Sequence, residues 1–156
     1  MAQRDYEEFL ESLNANGVKY LIIGAHAVAF YARPRATKDL DILHEPSKQS
    51  ALRIQKAIRG FFGGADLGIT IDDLCNADFI VQLGVAPVRI DLMSAIPGLE
   101  SFKVAWEKRT MGKYGKVNVA YISLNDLIKN KGIGAREQDK ADLIYLNKAN
   151  LRKKSK

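Results

Sequence analysis

The sequence predicts an α/β (α+β) fold: a small mixed sheet with flanking helices and a C-terminal helical part. Two observations predict it. Over residues 1–60 the apolar spacing switches between helical and strand periods in the order αβαβα, and β-hairpin patterns then replace strict alternation. That order argues against a doubly wound sheet. At 156 residues the chain holds one domain, with no room for a second independently folding unit. We divide it into a domain over 1–147 and a basic tail over 148–156.

Each element has a local reason. Tyr6, Phe9, Leu10 and Leu13 recur at helical spacing, and Asn16-Gly17 supplies a left-handed stop. Val18 to Ile23 is mostly β-branched, aromatic or otherwise apolar and reads as a buried strand. Gly24 breaks it, and Ala25 to Ala32 reads as a short helix ending before Pro34. Lys38 to Leu43 alternates polar and apolar, the pattern of a half-buried strand. Ser47 to Gly60 returns to helical spacing, and residues 61–76 read as a loop with a short helical turn. Strands follow at Asp78 to Leu83 and Val88 to Met93, joined by a hairpin turn over 84–87. After a short helix carrying Phe102, Val104 and Trp106, Arg109 to Tyr121 forms a second hairpin turning at Tyr114-Gly115. Ser123 with Asp126 resembles a capping box at the start of a helix. The last helix runs from about Arg136 to Ala149 and buries Leu143 and Leu146.

Composition removes several functions. The apolar runs are far shorter than the ~20 residues that cross a bilayer, and no export signal is visible, so we expect a cytoplasmic protein with no membrane partner. The single Cys75 excludes an intramolecular disulfide and fits a reducing compartment. With His26, His44 and Cys75 as the only soft ligands, a four-ligand zinc site would need carboxylates. The net charge of +6 resides mainly in Lys148, Arg152, Lys153, Lys154 and Lys156; the remainder has 19 basic against 18 acidic residues. Such a tail attracts polyphosphate, including RNA, although many short basic tails are simply solvated ends.

The chemistry lies in the acids. Asp39 and Asp41 share one face of their strand, with Leu40 and Ile42 on the other. Taken alone, such a pair reads most simply as a solvated edge, but three neighbours change the balance. Asp91 sits between Ile90 and Leu92 on another strand, so all three carboxylates can meet on one face with four aliphatics behind. Asp is disfavoured in strands, and converging carboxylates raise each other's pKa unless a cation lies between them. Hard oxygen donors of this kind suit Mg²⁺, which takes substrate phosphates as further ligands. Next, Leu21-Ile22-Ile23-Gly24-Ala25 runs from a strand straight into a helix, a turn that can present backbone N–H groups to phosphate or need glycine for steric reasons alone. Finally, Arg33, Arg35 and Lys38 crowd the segment before Asp39, either to hold a triphosphate or to neutralise the acids.

Together these residues resemble the nucleotidyltransferase superfamily. Its signature is a glycine turn after a strand, an Asp-x-Asp strand about a dozen residues on, and a third acid on a later strand. Here the pieces are Gly24-Ala25, Asp39-Leu40-Asp41 after thirteen intervening residues, and Asp91. Gly24-Ala25-His26-Ala27-Val28, with Pro34 to Asp41, looks more narrowly like the AbiEii-type branch, related to type IV toxin–antitoxin toxins. Lys131, Arg136, Asp139 and Asp142 match that branch's C-terminal helices. Ala25 departs from the usual Gly or Ser and lacks a hydroxyl for phosphate.

The resemblance implies a nucleotidyltransferase fold and transfer of a nucleoside monophosphate from an NTP to a hydroxyl, with Mg²⁺ or Mn²⁺ as cofactor. It implies that Asp39, Asp41 and Asp91 are catalytic metal ligands, and that Asp91 helps deprotonate the acceptor. Gly24, Ala25, Lys131, Arg136 and Arg35 would bind the nucleotide. The acceptor would be RNA, such as a tRNA end, or a protein hydroxyl, with a cognate antitoxin as a further partner. A catalytically silent nucleotide- or RNA-binding module is the alternative from another class. The residues also allow simpler roles: Arg136, Asp139 and Asp142 as a surface ion-pair set, Lys131 as a helix C-terminal cation, and His26, His44, Cys75, Phe102 and Trp106 as structural groups.

Overall fold

The computed structural model describes residues 2–34, 39–85, 87–134 and 136–155, with the side chains of Ala2 and Ser155 outside the description. It shows the mixed α/β architecture that the element order predicts. In chain order the elements are α1 (Ala2–Ala15), β1 (Tyr20–Ile23), α2 (Gly24–Tyr31), β2 (Asp39–His44), α3 (Lys48–Phe61), α4 (Ile71–Cys75), β3 (Val81–Val85), β4 (Val88–Met93), α5 (Phe102–Glu107), β5 (Thr110–Tyr114), β6 (Val117–Tyr121), α6 (Leu124–Ile133) and α7 (Glu137–Ser155).

The strands make a six-stranded sheet in the order β3-β4-β2-β1-β6-β5. The outer pairs β3/β4 and β5/β6 are antiparallel hairpins, and β1 is antiparallel to β2. The remaining pairs, β2/β4 and β1/β6, are parallel. Parallel neighbours need a crossover connection, and β2 reaches β4 through α3, α4 and the edge strand β3. This crossover brings two acid-bearing segments that are distant in the chain side by side.

One apolar core holds the layers together. Phe9, Leu10 and Leu13 of α1 meet Ile54 and Ile58 of α3 in the same cluster as the inner strands. Leu40, Ile42, Ile90 and Leu92 are all fully buried, so the alternation read from the sequence places these four aliphatics inside. Helix starts are fixed by side chains: Ser47, Ser101 and Ser123 each accept from a backbone N–H three residues on, and Thr70 with Asp73 forms a reciprocal capping box.

Two boundaries differ from the sequence reading by three residues or more. The strand expected at Asp78 to Leu83 lies at Val81–Val85. Its partner β4 stops at Met93 and Val81 pairs with Leu92, so Asp78 and Phe79 extend past the partner's end, and Phe79 and Ile80 are exposed. The last helix continues beyond Ala149 to Ser155. Leu, Lys and Arg are good helix formers, and the positive charges of Arg152, Lys153 and Lys154 suit the negative end of the helix dipole. Within that helix Leu146 is buried as expected, whereas Leu143 is only half-buried.

Leu40 has no exposed surface, whereas Leu52 on α3 is exposed. Leu40→Ala should therefore lower unfolding free energy in urea by about 2–5 kcal/mol, and Leu52→Ala by no more than about 0.5 kcal/mol.

Candidate active site

The register of the β2/β4 pair builds the site. Asp41 lies opposite Asp91 and Asp39 opposite Arg89. Because side chains alternate along both strands, three acids and one arginine share a face while their aliphatic neighbours enter the core. One carboxylate oxygen from each of Asp39, Asp41 and Asp91 lies within 4.8 Å of the other two. Asp91 is buried; Asp39 and Asp41 are half-buried.

Such crowding has an electrostatic cost. Burial, followed by the charges of Asp91 and Asp39, pushes the Asp41 carboxyl up to about 6, against the opposing pull of Lys131 and Arg89. Arg89 grips Asp91 with a two-point fork, Nε to Oδ1 at 3.1 Å and Nη2 to Oδ2 at 3.1 Å. Its Nε also lies 3.9 Å from Asp39 Oδ2. The hydrogen-bonded pairing with Asp91, then the charges of Asp39 and Asp41, raise the guanidinium's already high pKa.

Tyr6 and His26 stand beside the acids. The Tyr6 hydroxyl donates to the Pro87 carbonyl at 3.2 Å. Burial raises its pKa, and the three aspartates add to that rise. His26 lies edge-on to Tyr6 and Tyr114, with ring centroids 5.6 Å and 5.2 Å away. Burial pushes its pKa down to about 4, with Asp39 opposing, so the imidazole is neutral at physiological pH. Its Nε2 is buried without a hydrogen-bond partner among the described residues.

Gly24 is required on two counts. Its φ is +66°, a left-handed conformation that residues with a Cβ rarely adopt. A Cβ there would also collide with Asp41 Oδ2. The turn thus brings backbone against the acid while it opens α2, whose preceding residue Ile23 provides no side-chain cap. Ala25, the next residue, is buried.

A second polar cluster comes from the helices. Lys131, in the last turn of α6, is buried with its Nζ 3.2 Å from Asp139 Oδ1 and 3.4 Å from Asp142 Oδ2. Arg136 forks onto Asp139 at 3.1 Å and 3.2 Å. Although burial opposes it, hydrogen bonding from Arg136 and Lys131 and their charges hold the Asp139 carboxyl below the usual range. Arg33 approaches Asp142 Oδ1 at 3.6 Å and stacks on the Tyr145 ring, 4.1 Å from its centroid. Lys131, Asp139 and Asp142 are buried and form an internal core of this set, with the exposed Arg136 closing it from the surface at the i,i+3 spacing that helical geometry allows. Lys131 acts electrostatically on Asp41, and Asp41 on Arg136, which couples the two clusters.

The donor set fits a divalent ion. Hard carboxylate oxygens suit Mg²⁺ or Mn²⁺. Opposite donors on one such ion lie about 4.2 Å apart, twice its metal–oxygen distance, and paired ions in two-metal sites lie about 3.5–4 Å apart. A 4.8 Å span needs only small side-chain rotations to match either arrangement.

The structure thus brings together Asp39, Asp41, Asp91 and Gly24, with Lys131 and Arg136 in the neighbouring network. Arg33 pairs with the network rather than with the three acids. Arg35 and Lys38 lie outside the described residues. His44 is buried, with Nδ1 3.2 Å from the Glu45 carbonyl, as a structural group should be. Arg89 joins the site without an expected role, and its position two residues before Asp91 on the same strand places it on the face of the acids. Tyr6 reaches the acids only through tertiary packing, whereas His26 lies two residues after Gly24 in the turn that opens α2.

A three-acid face able to hold a metal ion thus lies beside a glycine turn on a mixed sheet. The chain belongs to the family described as "Nucleotidyl transferase of unknown function (DUF2204)", whose family model matches residues 2–156. No curated protein matches it.

The pKa of Asp41 gives a signed prediction. Its folded value, about 6, lies above the ordinary 3.8 of an aspartate, so its ionisation opposes folding. That penalty is absent below about pH 4, grows as pH rises, and is complete above about pH 6. In chelator, Asp41→Asn should stabilise the protein by about 1–3 kcal/mol at pH 8 and leave it nearly unchanged at pH 4, as read by urea denaturation. Lys131→Ala removes a buried cation shared by Asp139 and Asp142, leaving Arg136 on the first and Arg33 near the second, and should cost about 1–3 kcal/mol in the same assay.

Proposed function

We propose that this chain is a divalent-metal-dependent nucleotidyltransferase of the AbiEii-type, toxin-like branch, moving a nucleoside monophosphate from an NTP to a hydroxyl of RNA. The observation that carries the reading is the convergence of Asp39, Asp41 and Asp91 within 4.8 Å beside Gly24. Four positive residues exposed on the last turns of α7, Lys148, Arg152, Lys153 and Lys154, support a polyphosphate acceptor over a protein one.

In this reading Asp39, Asp41 and Asp91 hold Mg²⁺ or Mn²⁺. Bound there, the metal supplies Lewis-acid charge for the phosphate oxygens and for an attacking hydroxyl. The protein's own groups position the rest. Gly24 and Ala25 present backbone N–H groups to phosphate at the start of α2. Lys131, with Arg136 beside it, supplies positive charge from the helical side, and Arg35 is a further candidate. The acceptor oxygen bonds to the α-phosphorus as the bond from that phosphorus to the β-bridging oxygen breaks. Pyrophosphate leaves, and the hydroxyl proton passes to Asp91. Catalysis of this kind comes mostly from placement and charge.

Transfer is tested with Mg²⁺, each labelled NTP, and either total tRNA or a protein extract. Label should enter RNA, and Asp41→Ala should reduce transfer by at least about 10³-fold. Label entering protein instead would establish protein nucleotidylation, with a cognate antitoxin among the candidate acceptors. Nucleotide binding without transfer to either acceptor would identify a silent binding module.

A further inference from the structure

The transfer reading leaves the Arg89–Asp91 fork without a role, and the role inferred for it rests on that reading. Arg89 engages both oxygens of Asp91, at 3.1 Å each, and reaches towards Asp39 at 3.9 Å. These carboxylates are the ones assigned to the metal, and Asp91 is also the one assigned to the acceptor proton. A guanidinium stays charged at any accessible pH, so it cannot yield its place by losing a proton. It also repels a second cation brought to the same oxygens. Yet the Arg89 side chain is 38% exposed against 9% for that of Asp91. The arginine therefore sits at the rim on a flexible stem, while its partner is fixed inside.

We propose that Arg89 is a built-in competitor of the divalent ion for the Asp91 carboxylate, a positioning residue that must swing aside before Asp91 can coordinate metal or accept a proton. Short of that displacement, the fork keeps Asp91 from standing as an uncompensated buried anion. Arg89 holds Asp91 at two points and meets Asp39 through Nε at 3.9 Å. Metal engagement at Asp91 consequently depends on what displaces Arg89.

The test measures metal binding and needs neither nucleotide nor turnover. Free Mn²⁺ is followed by electron paramagnetic resonance during titration of the wild type, Arg89→Gln, Asp91→Asn and the double variant. Far-ultraviolet circular dichroism confirms the fold of each, and Arg89→Lys serves as a charge-retaining control that lacks the fork. Arg89→Gln should bind Mn²⁺ about 5–10-fold tighter than wild type, a coupling of ordinary size between two sites. Arg89→Lys should fall between the two. In the Asp91→Asn background the gain from Arg89→Gln should shrink to no more than about threefold, the part owed to the charge of Arg89 near Asp39 and Asp41, because the contested carboxylate is gone. Equal or weaker Mn²⁺ binding by Arg89→Gln, or the same gain in the Asp91→Asn background, would overturn the competition. Absence of Mn²⁺ binding in every variant would instead overturn the metal reading itself, and this inference with it.

Discussion

The fold turns on one unfavourable interaction. Pairing β2 with β4 in parallel places Asp41 directly opposite Asp91, and like charges in that relation repel. The rest of the neighbourhood is arranged around that repulsion. Leu40, Ile42, Ile90 and Leu92 pack on the opposite face and hold the register by burial. Slipping either strand by one residue would send the acids into the core and the aliphatics to the site. Burial of apolar surface thereby holds together three carboxylates that would otherwise separate.

Two sources of positive charge moderate the crowding, and they differ in kind. Arg89 reaches in from β4 itself and is partly solvated. Lys131 acts from the helical side, locked between Asp139 and Asp142. That lysine's two buried partners screen its charge and fix its position, so it influences Asp41 at a distance rather than by contact. One cation is thus enclosed between two acids, and the other stands at a partly solvated rim. The aromatic wall of Tyr6, His26 and Tyr114 adds no charge at neutral pH.

Much of this is legible in the sequence because it depends on short-range alternation. The period of two in Asp39-Leu40-Asp41-Ile42 and in Arg89-Ile90-Asp91-Leu92 specifies which side chains share a face, and the sheet places those faces side by side. Gly24 is legible as a turn, but its contact with the Asp41 carboxylate arises only from the β1/β2 pairing. Tyr6 is legible as an apolar contact of α1. Its hydroxyl, however, reaches Pro87, eighty-one residues away, a relation no window of sequence contains. The end of α7 runs past the expected stop because dense positive charge does not itself end a helix, and lysine and arginine are good helix formers. Edge strand β3 lies later than its own residues suggest because its limits follow from where β4 stops.

Arg33 gives the last helix an unexpected reach. The residue follows α2, close before the strand that carries Asp39 and Asp41, yet its guanidinium rests on Tyr145 and faces Asp142, both in α7. Asp142 in turn meets Lys131. The carboxyl-terminal helix is thus strapped to the approach of the acidic strand and to α6 at one buried point. The exposed positive charge of Arg152, Lys153 and Lys154 is therefore borne on the same continuous rod as Asp142.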